Sequence, residues 1–582
     1  MVPHSMENRV PRIVLRDVAT DTWLEFTAPL AIYTSATLHE VVPLLQHVEA
    51  RVERDQLYAA GWISYEAAPA FDPALPTRTD TAFPLIWFGL FASVHPCTLP
   101  VASNQTADGV CWQPECSRAD YDTAIRAIHD AIESGETYQV NYTYRLRTEQ
   151  RLQGWKLFCE LAGDMPFAAY VHTGDWTICS FSPELFFRRA GSLVESRPMK
   201  GTRLRGMTLE DDLCQRDELT YSAKDRAENV MIVDMVRNDL GRIARPGSVC
   251  VPRLFAPEKY PTVWQLTSTV QAQSDVPTAE ILRALFPPAS ITGAPKRRTM
   301  QLIQALESSP RRIYTGTIGY LAPGRRAHFN VAIRTVLLDS ARGTGEYGVG
   351  GGIVWDSNAA AEYAETLSKA RALRRYPQDF ALLETFLWTQ EQGYGLESFH
   401  LRRLVQSAEY FAIPLDLATV QQELQRAVAC AAGQQRIRLT VARTGAIRVT
   451  VAAVTAATYG RVGLARTPVD RHQVFLYHKT THRAVYQQAL AECPGLDDVI
   501  LYNEAGEVTE STIANIAVLV DGILYTPPVS CGLLAGTQRA ALIQAGRLVE
   551  RVIAVRELET CEAIYLLNAV RGMQRIMLAR PD

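Results

Sequence analysis

Apolar residues recur at helical spacing in some stretches of the chain and alternate with polar residues in others. A helix is predicted between Ser117 and Ser134, where apolar positions lie three or four residues apart, and a second over residues 224–239, which Gly241 ends. Residues 137–146 alternate as in a strand, and residues 1–110 combine short apolar runs with turn residues, which indicates strands with helices between them. The pattern predicts a mixed α+β or α/β protein.

Composition narrows the class of protein. A chain of 582 residues with 47% apolar and 21% charged residues is long enough for several hydrophobic cores. Its net charge of −3 gives no electrostatic reason to expect nucleic-acid binding, and no apolar run reaches the roughly 18 residues that a membrane span needs. Eleven cysteines occur without a CxxC pair, which predicts reduced thiols in a cytoplasmic protein rather than disulfides or a zinc site.

Lys200 stands in a basic segment, residues 197–206, between Pro198 and Gly201. Proline fixes the local chain and glycine lets the backbone approach a ligand, so we expect a strand-to-loop turn that aims the amine into a site. The three neighbouring arginines would lower the pKa of the amine and make it a nucleophile near neutral pH. Taken alone, the segment is more typical of a solvated basic loop.

Two predicted helices each carry a pair of carboxylates three residues apart. Asp225 and Glu228 share one face of the first helix, and Glu362 and Glu365 share one face of a helix within residues 359–370. Carboxylate oxygens are the ligands that Mg²⁺ takes, with positions left open for substrate oxygens. Either pair alone is more typical of a solvated helix face.

Several blocks together resemble the chorismate-utilising enzymes. They are residues 198–202 (PMKGT), 224–229 (KDRAEN), 231–242 (MIVDMVRNDLGR), 292–296 (TGAPK) and 350–354 (GGGIV). The resemblance implies a large two-layer chorismate-binding domain over residues 1–378, to which residues 1–110 contribute. It also implies that Glu228 and Glu365 contact a magnesium ion directly, with Asp225 and Glu362 as the outer pair.

The same resemblance implies a pocket for a dianionic substrate. Arg334 matches a strand arginine that faces one carboxylate, for which a bidentate guanidinium is suited. The backbone N–H groups of Gly350, Gly351 and Gly352 are expected to form a nest for a carboxylate, and Thr292, Gly293 and Lys296 complete the pocket. Gln265 stands where many relatives carry histidine, so a histidine-assisted step is not expected.

Lys200 distinguishes between two reactions of this family. Anthranilate synthases usually carry alanine at this position, whereas aminodeoxychorismate synthases carry a lysine that adds at ring carbon 2 before ammonia enters at carbon 4. The resemblance therefore favours an aminodeoxychorismate synthase. The sequence contains no Gly-x-Cys-x-Gly nucleophile elbow, so ammonia is expected from solution or from a separate glutamine amidotransferase subunit.

After Pro377, which would end the preceding helix, residues 379–582 resemble the fold-type IV enzymes that depend on pyridoxal 5'-phosphate (PLP). The resemblance implies that Lys479 forms the Schiff base and that Glu510 pairs with the pyridine nitrogen. It assigns the cofactor phosphate to Arg403 and to the turn formed by Gly536, Thr537 and Gln538, which would open a helix over residues 539–548. The resemblance also allows a homodimer through this domain.

The two resemblances together imply a bifunctional enzyme of 4-aminobenzoate synthesis for folate, with aminodeoxychorismate lyase as the second activity. The lyase assignment follows from the fusion, since the residues alone are equally compatible with an aminotransferase. Two alternatives stay open. The first domain could be an anthranilate synthase fused to a PLP aminotransferase, or the C-terminal part could be a degenerate scaffold that binds partners.

Overall fold

The computed structural model describes residues 10–100, 110–163, 165–371, 380–454 and 460–579. The chain divides into two compact units, one of residues 1–204 and 216–376 and the other of residues 205–215 and 377–582. Residues 205–215 thus belong to the second unit, although they lie inside the range predicted for the first domain. The boundary predicted at Pro377 lies outside the described residues.

Both units combine helices and strands, as the apolar pattern predicted. Within the described residues, no helix has the length and apolar character needed to cross a membrane. The strands of the first unit are, in chain order, β1 (Arg12–Asp17), β2 (Thr22–Thr27), β3 (Ala31–Ser35), β4 (Tyr58–Ile63), β5 (Ile86–Phe91), β6 (His95–Cys97), β7 (Gln113–Pro114), β8 (Gln139–Thr148), β9 (Ala169–His172), β10 (Trp176–Ser180), β11 (Leu185–Ala190), β12 (Leu193–Arg197), β13 (Met199–Leu204), β14 (Cys250–Lys259), β15 (Val263–Gln273), β16 (Gly293–Ala294), β17 (Thr317–Ala322), β18 (Arg326–Val331), β19 (Thr335–Asp339) and β20 (Thr344–Ile353).

The helices that accompany them are α1 (Leu38–Asp55), α2 (Ala68–Phe71), α3 (Arg118–Glu133), α4 (Gly154–Leu161), α5 (Leu209–Tyr221), α6 (Ala223–Gly241), α7 (Thr278–Leu285), α8 (Lys296–Leu306) and α9 (Ala359–Arg371). The helix predicted from residue 117 is α3, whose N-terminus is capped reciprocally by Ser117 and Asp120. The helix predicted over 224–239 is α6, where Ser222 accepts a hydrogen bond from the backbone N–H of Asp225.

Two ten-stranded sheets form the centre of the first unit in the described residues. One runs β16-β8-β20-β19-β10-β9-β1-β2-β6, with β7 beside β8, and the other runs β13-β15-β12-β11-β18-β17-β4-β5-β3, with β14 beside β15. A core with Trp62 and Phe91 from one sheet and Phe26 from the other packs between them. Helices α1, α6 and α7 cover the outer face of the second sheet, and α3 and α4 cover that of the first.

The second unit has its own elements and its own cores. In chain order its strands are β21 (Ala381–Thr389), β22 (Gly393–Tyr394), β23 (Gln434–Ala442), β24 (Ile447–Ala453), β25 (Val462–Leu464), β26 (Asp498–Tyr502), β27 (Val508–Ser511), β28 (Asn515–Val520), β29 (Ile523–Thr526), β30 (Val549–Glu550), β31 (Ala563–Asn568) and β32 (Gly572–Ile576), and its helices are α10 (Glu397–Phe411), α11 (Leu417–Val428), α12 (Ala484–Ala491) and α13 (Thr537–Gln544). Among described residues, β22-β21-β23-β24 form a four-stranded sheet, and β25 to β32 form an eight-stranded sheet.

Residues 205–215 are held in the second unit by buried polar contacts. Arg205 donates to the backbone carbonyl of Tyr410, and the Tyr410 hydroxyl donates to the carbonyl of Gly206 at 2.8 Å. His478 Nε2 donates to the backbone carbonyl of Met207 at 3.1 Å. Burial lowers the pKa of this imidazole to about 3, so the ring is neutral. The segment therefore packs against the residue that precedes Lys479.

Candidate active sites

Lys200 lies at a bulge within β13. The register between β13 and β15 shifts between Met199 and Thr202, so β13 carries one residue more than its partner there. Gly201 has a φ of 87°, which glycine adopts without the steric cost of a side chain. Bulges re-aim side chains out of the regular alternation of a strand. The strand-to-loop turn predicted at Lys200 is therefore wrong. The direction of the Lys200 side chain is set by a bulge within β13 instead.

The amine of Lys200 lies against Gly352 of β20 and Gln139 of β8. Lys200 Nζ is 2.5 Å from the point where a Cβ on Gly352 would stand, and Gln139 Nε2 is 2.7 Å from the same point. Gln139 is fully buried, yet neither of its amide atoms has a hydrogen-bond partner in the described part of the chain. Buried polar groups are normally satisfied, so this amide indicates a place where a ligand binds.

We expect Gly352→Ala to displace Lys200 and reduce turnover by the first unit at least tenfold, because its Cβ would clash with the amine. Gly241→Ala is the matched control, since a Cβ there meets no atom within 4 Å. The measurement is the rate of the reaction that the sequence analysis leads us to expect, the consumption of chorismate with ammonium and Mg²⁺. Wild-type kinetics in Gly352→Ala would contradict the position assigned to the amine.

Glu184 is a second functional candidate near Lys200, and the sequence analysis did not select it. Ser290 Oγ donates to Glu184 Oε1 at 2.6 Å. Burial raises the pKa of Glu184 to about 7, although the Ser290 hydrogen bond and the positive charge of Lys200 oppose the rise. A carboxyl group with this pKa can give and take a proton near neutral pH. Its signal in the sequence was the Ser-Pro-Glu run before β11.

The three arginines around Lys200 in the sequence do not leave excess positive charge there. Each forms an ion pair with a carboxylate: Arg197 with Glu258, Arg203 with Asp225, and Arg205 with Asp212. Their charge is balanced locally, which leaves little net positive charge to activate the amine, and the lowered pKa of Lys200 stays a prediction. Glu184 is the group that the structure offers for proton exchange.

The four predicted magnesium ligands lie on α6 and α9 as expected. Asp225 is buried beside Gly201, where a Cβ on the glycine would lie 3.1 Å from the Asp225 Cβ, and Glu228 is half-buried one turn later. Glu362 accepts a hydrogen bond from Ser357 Oγ at 2.7 Å, and Glu365 is exposed. Helix α6 packs against β13, and α9 packs against β20, the two strands that position Lys200.

These carboxylates do not form a preassembled cluster. Within the described residues, no three of them bring ligand atoms within 4.8 Å of one another, whereas the exposed Asp470, His472 and Glu504 of the second unit do. The donor set nevertheless fits a hard cation, since all four groups are carboxylates. Mg²⁺ commonly takes one or two protein carboxylates and completes its shell with water and substrate oxygens.

The remaining predicted substrate residues differ in their surroundings. Gly293 pairs with β8 beside Gln139, and a side chain at Gly293 would overlap the Gln139 carbonyl. The Thr292 hydroxyl donates to backbone carbonyls, and Lys296 Nζ donates to Asp239 at 3.0 Å. Arg334 is half-buried after β18. Gly293 thus adjoins the Gln139 site directly, whereas Thr292 and Lys296 are engaged by the protein.

The glycines at positions 350–352 lie inside β20 and pair with β8 at Thr143, Tyr142 and Asn141. Successive N–H groups of an extended strand point in opposite directions, so three of them cannot converge on one carboxylate. The predicted nest is therefore wrong. The missing side chain at Gly352 instead leaves space for Lys200 and Gln139.

In the second unit, a cavity of about 310 Å³ brings the predicted cofactor residues together. Its lining includes Arg403, Lys479, Glu510, Gly536, Thr537 and Gln538. Lys479 is the one lysine in residues 377–582 of the sequence. Burial lowers its pKa to about 8, so a useful fraction of the amine is neutral near physiological pH. The cavity therefore places a reactive amine among groups that fit PLP.

Glu510 is buried and held from three sides. The Tyr486 hydroxyl donates to it at 2.7 Å, and Asn515 Nδ2 and the backbone N–H of Leu534 each donate at 3.2 Å. Burial raises the pKa of Glu510 to about 7. A carboxyl group poised in this way fits a protonated pyridine nitrogen, because each member of such a pair stabilises the charge of the other.

Arg403 is fixed by a carboxylate that the sequence analysis did not assign. Glu384 accepts from Arg403 Nε at 2.9 Å and Nη2 at 2.6 Å, and from His400 Nδ1 at 2.6 Å. Burial alone would raise the pKa of Glu384, but these partners outweigh it and lower the value to about 2. Arg403 Nη1 donates to the carbonyl of Ala535, which ties the guanidinium to the phosphate turn.

The phosphate turn leads directly into α13, which begins at Thr537 rather than at residue 539 and ends at Gln544. Gly536 is the N-cap, and a side chain there would overlap Asn515 Oδ1. The Thr537 hydroxyl lies 3.2 Å from His400 Nε2. Free N–H groups at a helix N-terminus favour a phosphate. The turn, Arg403 and Lys479 thus form a donor set that fits PLP.

Comparison with known proteins supports two families along the chain. The model of the chorismate binding enzymes matches residues 11–375, and that of the class IV amino-transferases matches residues 381–578. The anthranilate synthase component I from Streptococcus pneumoniae has a similar fold, with a TM-score of 0.51 at 21% identity over 64% of this chain and 94% of that chain.

Curated relatives resemble the first part of the chain. The aminodeoxychorismate synthase component 1 of Klebsiella aerogenes is 42% identical over 280 residues, which are 47% of this chain and 61% of that protein. The protein of the same name from Escherichia coli is 41% identical over 266 residues, covering 45% and 58%. The chain thus spans about three fifths of the length of these two relatives.

Proposed function

The chain belongs to the chorismate binding enzymes, and we propose that its two units convert chorismate into 4-aminobenzoate in consecutive steps. The first would exchange the 4-hydroxyl group of chorismate for an amino group, and the second would eliminate pyruvate. The observation that carries the proposal is Lys200, held on a bulge beside the unsatisfied Gln139 and the buried Glu184. The relatives named aminodeoxychorismate synthase support the same first step.

In the proposed first step, Lys200 Nζ adds to ring carbon 2, the two conjugated ring double bonds each shift by one position, and the 4-hydroxyl leaves. Glu184 gives its proton to that hydroxyl, so the leaving group is water. Ammonia then adds at carbon 4, and the returning electron pair breaks the bond from carbon 2 to Lys200. The new ammonium group returns one proton to Glu184, which restores both residues for the next turnover.

The role of Glu184 predicts a pH dependence. Its carboxyl group carries the proton below a pKa of about 7 and loses it above. At a fixed concentration of free ammonia, kcat of the first step should therefore decline as the pH rises through about 7. Glu184→Gln should lower kcat by about 100-fold and remove this decline. An unchanged pH profile in the variant would rule out the proton transfer.

Glu228 and Glu365 would hold a magnesium ion, backed by Asp225 and Glu362. Bound there, the ion would supply positive charge for a substrate carboxylate. Gln139 would hydrogen-bond the substrate, and Gln265, whose Oε1 is buried without a partner among the described residues, would do the same.

Glu228→Gln and Glu365→Gln should each raise the Mg²⁺ concentration needed for half-maximal chorismate turnover about tenfold or more, because an amide offers the cation less charge. The lyase step, assayed separately with aminodeoxychorismate, should keep its rate. Glu218→Gln on the neighbouring α5 is a control. Magnesium titrations that match the wild type in both variants would refute the metal assignment.

In the proposed second step, the residues of the cavity hold PLP and move one proton. Arg403 and the N–H groups of the turn at Gly536–Gln538 would bind its phosphate, and Glu510 would keep a proton on its pyridine nitrogen. Bound PLP supplies the electron sink that the elimination needs. Lys479 would attach the cofactor and take the proton from ring carbon 4, which would allow pyruvate to leave and the ring to become aromatic.

Staged addition of the cofactors tests this order of steps. Protein stripped of PLP should convert chorismate, ammonium and Mg²⁺ into aminodeoxychorismate and stop there. Adding PLP should then release 4-aminobenzoate and pyruvate in equal amounts. With glutamine in place of ammonium, turnover should require a separate amidotransferase subunit. Formation of 4-aminobenzoate by the stripped protein would contradict the assignment of the second step to the PLP-binding unit.

A further inference from the structure

The cavity of the second unit carries more positive charge than PLP requires. Its described lining includes the cations Arg403, Arg436, Arg438, Lys479, Arg483 and Arg571, and one carboxylate, Glu510. Arg403 is neutralised by Glu384, and Lys479 is assigned to the cofactor. Arg483 lies over the Tyr486 ring at 4.5 Å and donates to a backbone carbonyl. Arg571 lies in the turn after β31, where its backbone N–H donates to Asn568 Oδ1 at 3.4 Å. Arg436 and Arg438 are the two lining arginines that share one strand, and neither the cofactor nor the contacts named above engage them.

The two arginines belong to the face of the sheet that opens to the cavity. Arg438 pairs with Thr385 of β21, and both line the cavity. Ile437 and Leu439, which alternate with the arginines on β23, are fully buried on the opposite face. Residues two apart on a strand share one face and lie about 7 Å from each other. The strand thus presents two guanidinium groups side by side at the cavity.

No carboxylate among the described residues forms an ion pair with Arg436 or Arg438. Both side chains are exposed, so they stand at the mouth of the cavity rather than in its floor. A guanidinium group matches a carboxylate through two parallel hydrogen bonds, and a charge at the mouth also attracts an anionic substrate. A substrate seated at Lys479 would bring a second carboxylate within their reach.

We propose that Arg436 and Arg438 bind a carboxylate of the substrate and make the second site selective for amino compounds that carry two carboxylates. The proposal deepens the proposed function, because aminodeoxychorismate carries one carboxylate on its ring and one on its enolpyruvyl group. The preference for compounds with two carboxylates does not depend on the reaction that follows. It requires only that amino compounds bind at Lys479.

Isosteric amino acids test the preference without the natural substrate. The PLP-loaded full-length protein is titrated with L-glutamate and L-glutamine, and then with L-aspartate and L-asparagine, and the change in cofactor absorbance gives the half-saturating concentrations. Each acid should act at a concentration at least about tenfold lower than its amide, since the pairs differ only in charge. Equal concentrations in the wild type would overturn the proposal.

Variants assign the preference to the two arginines. R436Q and R438Q should each reduce the preference for the acid, and the double variant should abolish it. The half-saturating concentrations of the amides should stay at their wild-type values. R448Q on β24 is the matched control, because Arg448 belongs to the same sheet but not to the described lining of the cavity. A preference that survives in the double variant would overturn the assignment.

This test is separate from that of the proposed function. If the protein prefers the acids but makes no 4-aminobenzoate, the arginine site is supported and the proposed reaction is refuted. With aminodeoxychorismate as substrate, R436Q and R438Q should raise KM about tenfold or more each with little change in kcat, because they bind rather than react. A fall in kcat at unchanged KM would contradict a binding role.

Discussion

Lys479→Ala will stop 4-aminobenzoate formation and leave aminodeoxychorismate as the accumulating product. The variant removes the one lysine of residues 377–582, so no other amine in that range can attach the cofactor. The loss in lyase rate should be at least about a thousandfold, as for removal of other covalent or proton-transfer residues. Chorismate consumption should continue, because the first step uses Lys200 and Glu184.

Borohydride reduction gives this prediction a readout independent of activity. In the wild type it should fix PLP to a single peptide that contains Lys479, and in Lys479→Ala the cofactor should be released on denaturation. Lys369→Ala, which changes a lysine outside residues 377–582, is a control and should leave the attachment of PLP to the Lys479 peptide unchanged. If Lys479→Ala still releases 4-aminobenzoate at the wild-type rate, elimination occurs elsewhere and the second site is misassigned.

Lys200→Ala will reduce aminodeoxychorismate formation by at least about a thousandfold, because no nucleophile then adds at ring carbon 2. Ammonia could reach carbon 2 in the space vacated beside Gly352, so a small amount of anthranilate should appear. The fold should persist, since Lys200 is half-buried and faces ligand space rather than a core. Chromatography of the products after incubation with chorismate, ammonium and Mg²⁺ measures both changes.

Lys224→Ala is the matched control for Lys200→Ala, since Lys224 is an exposed lysine near the start of α6. It should retain wild-type product formation. Lyase turnover of added aminodeoxychorismate should be equal in both variants. Undiminished aminodeoxychorismate synthesis by Lys200→Ala would eliminate the covalent role and leave Lys200 a structural residue.

Periodicity was sufficient to predict the elements with strong local signals. Helix α3 combines apolar residues at helical spacing with a Ser117 cap, and α6 has the same kind of start at Ser222. The pairing of distant strands is a long-range property, so the sequence did not predict the order of the two ten-stranded sheets. Nor did it predict that residues 205–215 join the second unit, because their buried partner Tyr410 lies some 200 positions away.

The candidate reactive side chains were selected from the sequence, but their local geometry was not predicted correctly. Lys200 was expected in a turn and lies at a bulge, because one extra residue opposite β15 cannot be read from a single strand. The Gly350–Gly352 run was expected to form a nest and continues β20 instead. A glycine in the sequence shows only that a side chain is absent. The structure shows why Gly352 needs none, because Lys200 and Gln139 occupy the space that its side chain would take.

Supporting residues were missed because their role depends on burial. The sequence alone does not show that Glu184 and Glu384 are buried beside Lys200 and Arg403, and this burial is what supports the roles proposed for them. The alternation of Arg436 and Arg438 with buried Ile437 and Leu439 was visible as a strand pattern. Which face of that strand meets a cavity depends on the position of Lys479, more than 40 residues further along the chain.

The central claim is that Lys200 directs nitrogen to ring carbon 4 and that the second unit completes the conversion. The most direct measurement is chromatography with mass detection after the protein is incubated with chorismate, ¹⁵N-ammonium, Mg²⁺ and PLP. The account predicts singly labelled 4-aminobenzoate, with pyruvate in equal amount. Labelled anthranilate as the main product, with no 4-aminobenzoate, would contradict it.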